Sequence, residues 1–333
     1  MIFALDAMGG DFAPHAAVQG TLDALEKTSK SLNIILLGDE TAIRTELGDR
    51  DSDAIQILHT DEVVTMEDKG SKVLKSKPNS SLVRGIQLVK EGKADGFISA
   101  GHTGAIMSAT LLTLGRIPGV RRPALAAYFP TEGRGKVLCD VGANPDAKPE
   151  HLAQFAIMAS HYYDHVEGFA DPKIGLINIG SEPGKGSNLY VETYKLLAEI
   201  PNFVGNIESR HLLTSEADVL ICDGFVGNTL LKFAESWISF FTDEIKGKID
   251  EKLSYKIGAG LLKPIFEDLK NRFDYEEHGG SPLLGVNGIS IVSHGSSTPK
   301  AIMNSIFVAQ KSIKNNLISD ISKGIDEHLG VIS

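Results

Sequence analysis

The chain has 333 residues, enough to bury a large hydrophobic core. Hydrophobic residues make up 42% and charged residues 23%, a balance that excludes a disordered chain. The net charge of −10 removes any overall basic field, so no nucleic-acid partner is expected.

The first residues, Met1-Ile2-Phe3-Ala4-Leu5-Asp6, enter a strand directly. No basic segment precedes an apolar one there, so no secretory signal is expected. No apolar run approaches the roughly 20 residues that cross a bilayer. A cytoplasmic protein is expected, with any membrane contact peripheral to the inner face. Short apolar runs predict strands at Ile2–Leu5, Ile34–Leu37, Ile55–His59, Gly96–Ala100, Ala124–Phe129 and Lys136–Asp140. Further strands are predicted at Ile174–Ile179, Phe203–Glu208, Val219–Cys222 and Ile289–Ser293. They are too apolar to alternate cleanly, as strands covered on both faces are. Helical patterns fall between them at Ala16–Lys27, Thr103–Leu114, Glu150–His165, Tyr190–Ile200 and Thr298–Ile313. This alternation predicts one α/β domain over residues 1–333, a three-layer α/β/α sandwich on a mainly parallel sheet. The two cysteines, Cys139 and Cys222, sit in strand-like runs and read as buried thiols of a reducing compartment.

Residues 229–273 break the alternation. Leu230, Ala234, Trp237, Phe241, Ile245, Ile249, Leu253, Ile257, Leu261, Ile265, Leu269 and Phe273 recur every three or four positions. Gly258, Gly260 and Pro264 interrupt the stripe. A projecting helical hairpin is expected, with its tip at 255–264. A second copy of the chain would bury its stripe in a four-helix bundle, giving a homodimer. Ile257, Leu261 and Leu262, flanked by lysines, suit shallow contact with an anionic bilayer at the tip. Bundle packing, which the longer stripe supports, is compatible with this: the stripe would pack while the tip docks. Lys246, Lys248, Lys252, Lys256, Lys263, Lys270 and Arg272 along the arm, or Arg121 and Arg122, could steer an acidic partner; a solvated helix face explains them too.

Polar and glycine residues gather where the predicted strands end. The runs are Asp6-Ala7-Met8-Gly9-Gly10-Asp11, Ser99-Ala100-Gly101-His102-Thr103-Gly104 and Asp140-Val141-Gly142-Ala143-Asn144. The others are Asn178-Ile179-Gly180-Ser181-Glu182 before Gly184-Lys185-Gly186, then Asp223-Gly224-Phe225-Val226-Gly227-Asn228, then His294-Gly295-Ser296-Ser297. Six such loops on one rim of a parallel sheet would form an anion site, with small residues admitting the ligand and helix N-termini facing it. Neither a dinucleotide fingerprint nor a Walker A loop is present. His161 and His165 lie four apart on a helix but have only Asp164 nearby, so a surface or interface pair is expected rather than a metal site. No metal or cofactor is expected. Lys75, Lys77, Ser80 and Ser81 read equally as a solvated, helix-capping loop and as an anion clamp.

These runs, with Lys77-Pro78 before Ser80-Ser81, Leu283-Leu284-Gly285-Val286 and His294-Gly295, resemble the PlsX-type acyl-ACP:phosphate acyltransferases of bacterial phospholipid synthesis. The resemblance runs from the first residues to the last helix. It implies a fold like that of phosphotransacetylases and isopropylmalate dehydrogenases, and a homodimer. It also implies transfer of a fatty acyl group from acyl carrier protein (ACP) to inorganic phosphate. The acyl-phosphate would then pass to a membrane glycerol-3-phosphate acyltransferase. One departure is His102, where the family more usually has asparagine.

Direct attack of phosphate on the thioester needs no covalent enzyme intermediate. It needs a bound dianion and a stabilised oxyanion. Lys185 is the leading charge partner expected, then Lys77. Backbone groups at Gly9, Gly10, Thr103 and Gly104, with the hydroxyls of Ser80, Ser81 and Thr103, would cradle phosphate. Asn144 and Asn228 are candidate oxyanion donors, and His102 or His294 could protonate the leaving thiolate. Three alternatives stand beside this reading: a phosphotransacetylase-like enzyme for short acyl-CoA, a nicotinamide-dependent decarboxylating dehydrogenase, and a non-enzymatic ACP and membrane scaffold.

Overall fold

The computed structural model describes the chain except residues 29–31, 51, 132–133, 274, 329 and 331–333, and except the side chains of 166, 167 and 270–275. The side chains of Lys270, Arg272 and Phe273, expected along the arm, therefore lie outside the described residues. The strands are β1 (Ile2–Asp6), β2 (Asn33–Gly38), β3 (Ile55–His59), β4 (Gly96–Ser99), β5 (Ala124–Phe129) and β6 (Lys136–Cys139). They continue with β7 (Ile174–Asn178), β8 (Phe203–Glu208), β9 (Val219–Ile221), β10 (Ser281–Leu284) and β11 (Ile289–Val292). The helices are α1 (His15–Lys27), α2 (Glu40–Leu47), α3 (Val73–Ser76), α4 (Ser81–Lys90), α5 (Thr103–Leu114) and α6 (Pro149–Glu167). After them come α7 (Asn188–Leu197), α8 (Gly224–Asp250), α9 (Leu253–Phe273), α10 (Pro299–Lys314) and α11 (Leu317–Glu327).

All the strands join one 11-stranded sheet in the order β3-β2-β1-β4-β11-β10-β5-β6-β9-β7-β8. Successive strand residues point to opposite faces. Phe3, Leu5, Ile34 and Leu36 meet helices α1, α6, α10 and α11 on one face. Ala4, Ile35, Leu37 and Phe97 meet α4 and α5 on the other, together with the first turns of α8. The expected three-layer sandwich is therefore present.

The strand directions differ from a simple parallel sheet. β3, β2, β1, β4 and β11 run one way, while β6, β9, β7 and β8 run the other. β10 and β5 form the antiparallel joint between the two blocks. The strand that was not expected is β10. Its Pro282 argues against a central strand, because proline lacks the N–H that a ladder needs. Here Pro282 pairs only with Ile291 of β11, and pairing with β5 begins at Leu283.

Cys139 and Cys222 are free, buried and packed into the cores on opposite faces of the sheet. Burial, then neighbouring negative charge, pushes both thiols well above their usual range. His161 and His165 turn toward α11: His165 Nε2 lies 3.2 Å from Asp320 Oδ2. Among the described residues, no group of three or more His, Cys, Asp or Glu is placed to hold a metal ion. Nor is any helix long and apolar enough to cross a membrane.

The arm is built differently from the expected hairpin. It starts at Gly224 and turns at Glu251-Lys252, between α8 and α9. Residues 255–264 are not the turn; they are helical, in the first half of α9. Pro264 sits inside that helix. A helical proline presses on the carbonyl four residues back. That residue is Gly260, which has no side chain to crowd the adjustment. Ile257 and Leu261 remain on one helical face, 61% and 80% exposed, with Leu262 beside them.

Candidate active site

The reversal of strand direction divides the six polar loops into two sets of three. Loops after β1, β4 and β11, which are adjacent strands, form a first rim. Loops after β6, β9 and β7, also adjacent, form a second rim on the opposite sheet edge. The expectation of one common rim is corrected accordingly. Periodicity identifies strands without giving their direction, and the joint depends on β10, the strand that proline obscures.

The first rim is organised by Asp6. Its carboxylate accepts from Met8 N at 3.1 Å and from Ser99 Oγ at 2.7 Å. Burial raises its pKa, while hydrogen bonds from Ser81, Ser99, Met8 and Gly9 oppose the rise. Gly9 lies so near that a Cβ there would sit 2.8 Å from both Asp6 Oδ2 and Gly101 N. Asp11 N donates to Gly295 O at 2.7 Å, tying the loops after β1 and β11 together. Gly10 therefore lies between neighbouring loops of this rim.

Several predicted ligands on this rim have partners within the protein. Ser80 is buried and is the N-cap of α4, with Oγ donating to Lys77 O at 2.8 Å. Ser81 is buried against Asp6. Lys77 Nζ donates to Asp68 Oδ2 at 2.6 Å and to Val63 O at 2.7 Å. That ammonium, together with amide donation from Thr65, holds the Asp68 carboxyl below its ordinary range. His102 Nδ1 accepts from Ala105 N at 3.3 Å and caps α5, so the ring proton belongs on Nε2. An asparagine oxygen would make the same cap, which explains how histidine stands at this position. Thr103 and Gly104 follow as the first residues of α5. Their N–H groups precede the first intrahelical bonds, which Ala105 and Ile106 make to His102 O. His294 Nδ1 lies 2.7 Å from Ser296 Oγ in the loop after β11.

The second rim is organised by Asp140, which is fully buried. It accepts from Leu125 N, Ala143 N, Asn144 N and Asn144 Nδ2, at 3.0, 3.1, 2.6 and 2.9 Å. Burial raises its pKa despite these bonds. Asn144 Nδ2 also donates to Pro123 O at 2.7 Å. Both its amide protons are therefore engaged. This side chain thus fixes the loop. Asp223 caps α8 by accepting from Phe225 N and Val226 N, each at 3.0 Å. It also accepts from Tyr190 Oη at 2.7 Å. Burial and this hydrogen bond push the Tyr190 phenol far up, keeping it a donor. Sequence patterns did not reveal Tyr190, because its partner lies 33 residues away.

Asn178 Nδ2 donates to Lys185 O at 3.0 Å, and Asn206 Nδ2 to Glu182 O at 2.8 Å. These two buried amides clamp the loop that presents Lys185. The Lys185 side chain is half exposed, and among the described residues Nζ meets only Glu182, loosely, at 3.7 Å. Asn228, in the first turns of α8, lies over Gly142. Lys185 and Asn228 thus present an ammonium and a carboxamide at the second rim. They share that rim with Asn144 but not with Gly9, Gly10, Thr103 and Gly104.

Comparison with known proteins agrees with this frame. Residues 1–320 match the family model described as "Fatty acid synthesis protein". A phosphate acyltransferase of Pelotomaculum thermopropionicum is 45% identical over 328 residues, covering 98% of this chain and 95% of that protein. One of Desulfitobacterium hafniense is 46% identical, covering 97% of each. Among solved structures, a phosphotransacetylase from Streptococcus pyogenes superposes with a TM-score of 0.59 at 18% identity, covering 94% of each chain. A branched-chain phosphotransacylase from Enterococcus faecalis gives 0.58 at 15% identity, covering 94% of this chain and 99% of that one. These two likenesses establish the phosphotransacetylase-like fold. With the near full-length match to its relatives, the chain belongs to the PlsX-type phosphate acyltransferase family and is an acyltransferase.

Proposed function

We propose that this acyltransferase takes a long-chain fatty acyl group from ACP and delivers it to inorganic phosphate, releasing acyl-phosphate for phospholipid synthesis. The observation that carries the reading is a division of labour among polar groups. Asp6, Asp140, Asn144 and Asp223 hold loops in place, while Lys185, Asn228 and the α5 N-terminus keep donors for an incoming anion. Donors of this kind stabilise a phosphate dianion or a tetrahedral oxyanion without a covalent intermediate. One phosphate oxygen attacks the thioester carbonyl and the carbon–sulfur bond breaks. The phosphate proton is lost as the acyl-phosphate dianion forms, and a proton reaches the departing thiolate through His294. The family's description in terms of fatty acid synthesis favours a carrier-bound fatty acyl donor over acetyl-CoA.

The arm supports a homodimer. Trp237, Ile238, Phe240, Phe241 and Ile245 on α8 are exposed, as are Ile265, Phe266 and Leu269 on α9. So large an apolar surface on a water-soluble chain calls for a partner, and a second copy supplies a matching stripe. Steering of acidic ACP by arm lysines finds less support. Lys248 pairs with Glu251, Lys256 with Asp250 and Lys263 with Glu267, which dilutes their field. Arg121 is paired with Glu150, leaving Arg122 as the exposed member of that pair. The face of α9 bearing Ile257, Leu261 and Leu262 is the surface we assign to peripheral membrane contact. Leu261→Glu is expected to cut flotation with anionic liposomes several-fold, since a charge there opposes burial of the apolar face. Unchanged flotation would remove this face from membrane contact.

The functional assay measures acyl-phosphate formed from phosphate and palmitoyl-ACP, with palmitoyl-CoA and acetyl-CoA in parallel. Product mainly from the ACP donor is expected. Product mainly from acetyl-CoA would replace this reading with a phosphotransacetylase-like one, and no product from any donor would favour the scaffold.

A further inference from the structure

Lys185 stands on a loop with little packing of its own. Residues 181–188 are all exposed, and surface loops are ordinarily the more mobile parts of a domain. Here the loop closes as a β-turn, Glu182-Pro183-Gly184-Lys185, in which Lys185 N donates to Glu182 O at 3.1 Å. Two buried asparagines reach it from neighbouring strands. Asn178, the last residue of β7, donates through Nδ2 to Lys185 O at 3.0 Å and to Asn206 Oδ1 at 3.1 Å. Its own Oδ1 accepts from Ile179 N at 2.8 Å. Asn206, on β8, donates through Nδ2 to Glu182 O at 2.8 Å. Both ends of the turn are thus tied to one amide pair. Gly186 then closes over that pair: a Cβ there would stand 2.5 Å from Asn178 Oδ1.

Strict strand alternation would turn Asn206 away from Asn178. Phe203 packs against the core on one face of the sheet, and Val204 against the core on the other. Two residues beyond Val204, Asn206 would share its face. The pairing of β8 with β7 prevents this. Ile174 pairs with Phe203 and Leu176 with Asn206, so two steps along β7 match three along β8. The extra residue is a bulge at Gly205, whose φ is +96°. The backbone conformation requires glycine here rather than lack of space, since a Cβ would meet Tyr194 Oη at an ordinary 3.9 Å. The bulge returns Asn206 to the face of Leu176 and, two residues further along β7, of Asn178.

We infer that Asn206 is a positioning residue for Lys185: through Asn178 and the Glu182 carbonyl it holds the turn in one arrangement, so that the ammonium meets the reacting anion from a fixed base. The Lys185 N–H and carbonyl are both engaged, which leaves the side chain as the part of this residue free to follow the substrate. A buried network whose hydrogen bonds are made specifies a single geometry. Displacing a reacting group by about 1 Å can cost about a hundredfold in rate.

This inference rests on the acyl-transfer reading, with Lys185 as the charge partner of the anion. The test is a double-substitution cycle on the full-length protein. Asn206→Asp, Lys185→Ala and the two together are measured for kcat, for KM toward palmitoyl-ACP and phosphate, and for thermal unfolding. Asn206→Asp keeps the side-chain shape and the acceptor for Asn178, but places an oxygen against Glu182 O in place of the donor. Asn206→Ala, which removes both links without adding charge, is carried through the same cycle. Either substitution is expected to lower kcat about tenfold in the original background and less than about twofold in Lys185→Ala, where the group to be positioned is absent. A role confined to stability would instead lower the unfolding midpoint in both backgrounds and leave kcat, measured below that midpoint, unchanged. Unchanged kcat in either folded Asn206 variant, or a tenfold loss that persists in Lys185→Ala, would overturn the inference while leaving the acyl-transfer reading intact. Absence of acyl-phosphate from the unsubstituted protein would overturn both.

Discussion

Lys185→Ala is expected to lower acyl-phosphate turnover about a hundredfold or more while leaving the protein folded and its oligomeric state unchanged. Three observations set the size and the selectivity of the effect. The ammonium is half exposed, and its ion-pair partner among the described residues is Glu182 at 3.7 Å. A loose surface pair of this kind contributes about 0–1 kcal/mol, so its loss scarcely affects folding. The loop itself is held by backbone acceptors, through Asn178 to Lys185 O and Asn206 to Glu182 O. Truncation beyond the Lys185 Cβ leaves both clamps in place. What disappears is a cation at a rim where the neighbouring carboxylates Asp140 and Asp223 are buried and committed to loop contacts. Removing a preorganised donor from a transition state costs about 2.7–4 kcal/mol, which is the predicted hundredfold or more. Lys185→Arg restores charge with a different reach and should recover part of the activity. The measurement is steady-state acyl-phosphate formation alongside size-exclusion chromatography. Near-original turnover in Lys185→Ala would take this residue out of the reaction.

The predicted strand positions agree with the structure to within a residue at each end, because most are short apolar runs covered on both faces, the edge strands β3 and β8 being only partly buried. Strand direction was not legible. It is set by β10 and β5 at the joint, and β10 carries the proline that disqualifies it by pattern. Site residues separate along a similar line. The sequence marks residue types suited to an anion, such as Ser80, Lys77 and Asn144, but not their partners. Ser80 caps α4, Lys77 meets Asp68, and Asn144 is bound by Asp140 and Pro123. Of these, only the Ser80 cap is local enough for pattern to reach. The arm shows the opposite balance. Its stripe was legible because the period of 3.6 persists over many turns, whereas its turn was misplaced because Gly258, Gly260 and Pro264 outweighed it as signals.

Gly227→Ala is expected to destabilise the protein by about 3 kcal/mol and to reduce activity with it, because one methyl group there has no space to occupy. Gly227 lies in the first turn of α8, buried against the strand-end loop of β6. A Cβ at this position would stand 2.0 Å from Asp140 O and 3.0 Å from Cys222 Sγ. Neither neighbour can give way easily. The Asp140 backbone is fixed by its own N–H to Cys222 O at 3.0 Å, and its side chain by the four donors of the second rim. The helix must therefore lift instead. Lifting α8 displaces Asn228, one residue on, from the Gly142 loop of the second rim. Gly184→Ala is the matched comparison: the same methyl group meets nothing within 4 Å and should shift the unfolding midpoint negligibly. Thermal unfolding of the two variants tests the point, with kcat measured below the lower midpoint. A Gly227→Ala protein as stable and active as Gly184→Ala would mean that α8 does not seat on the Asp140 loop. Loss of kcat with a folded, merely less stable protein would show that the same helix seat aligns the groups that act on the substrate.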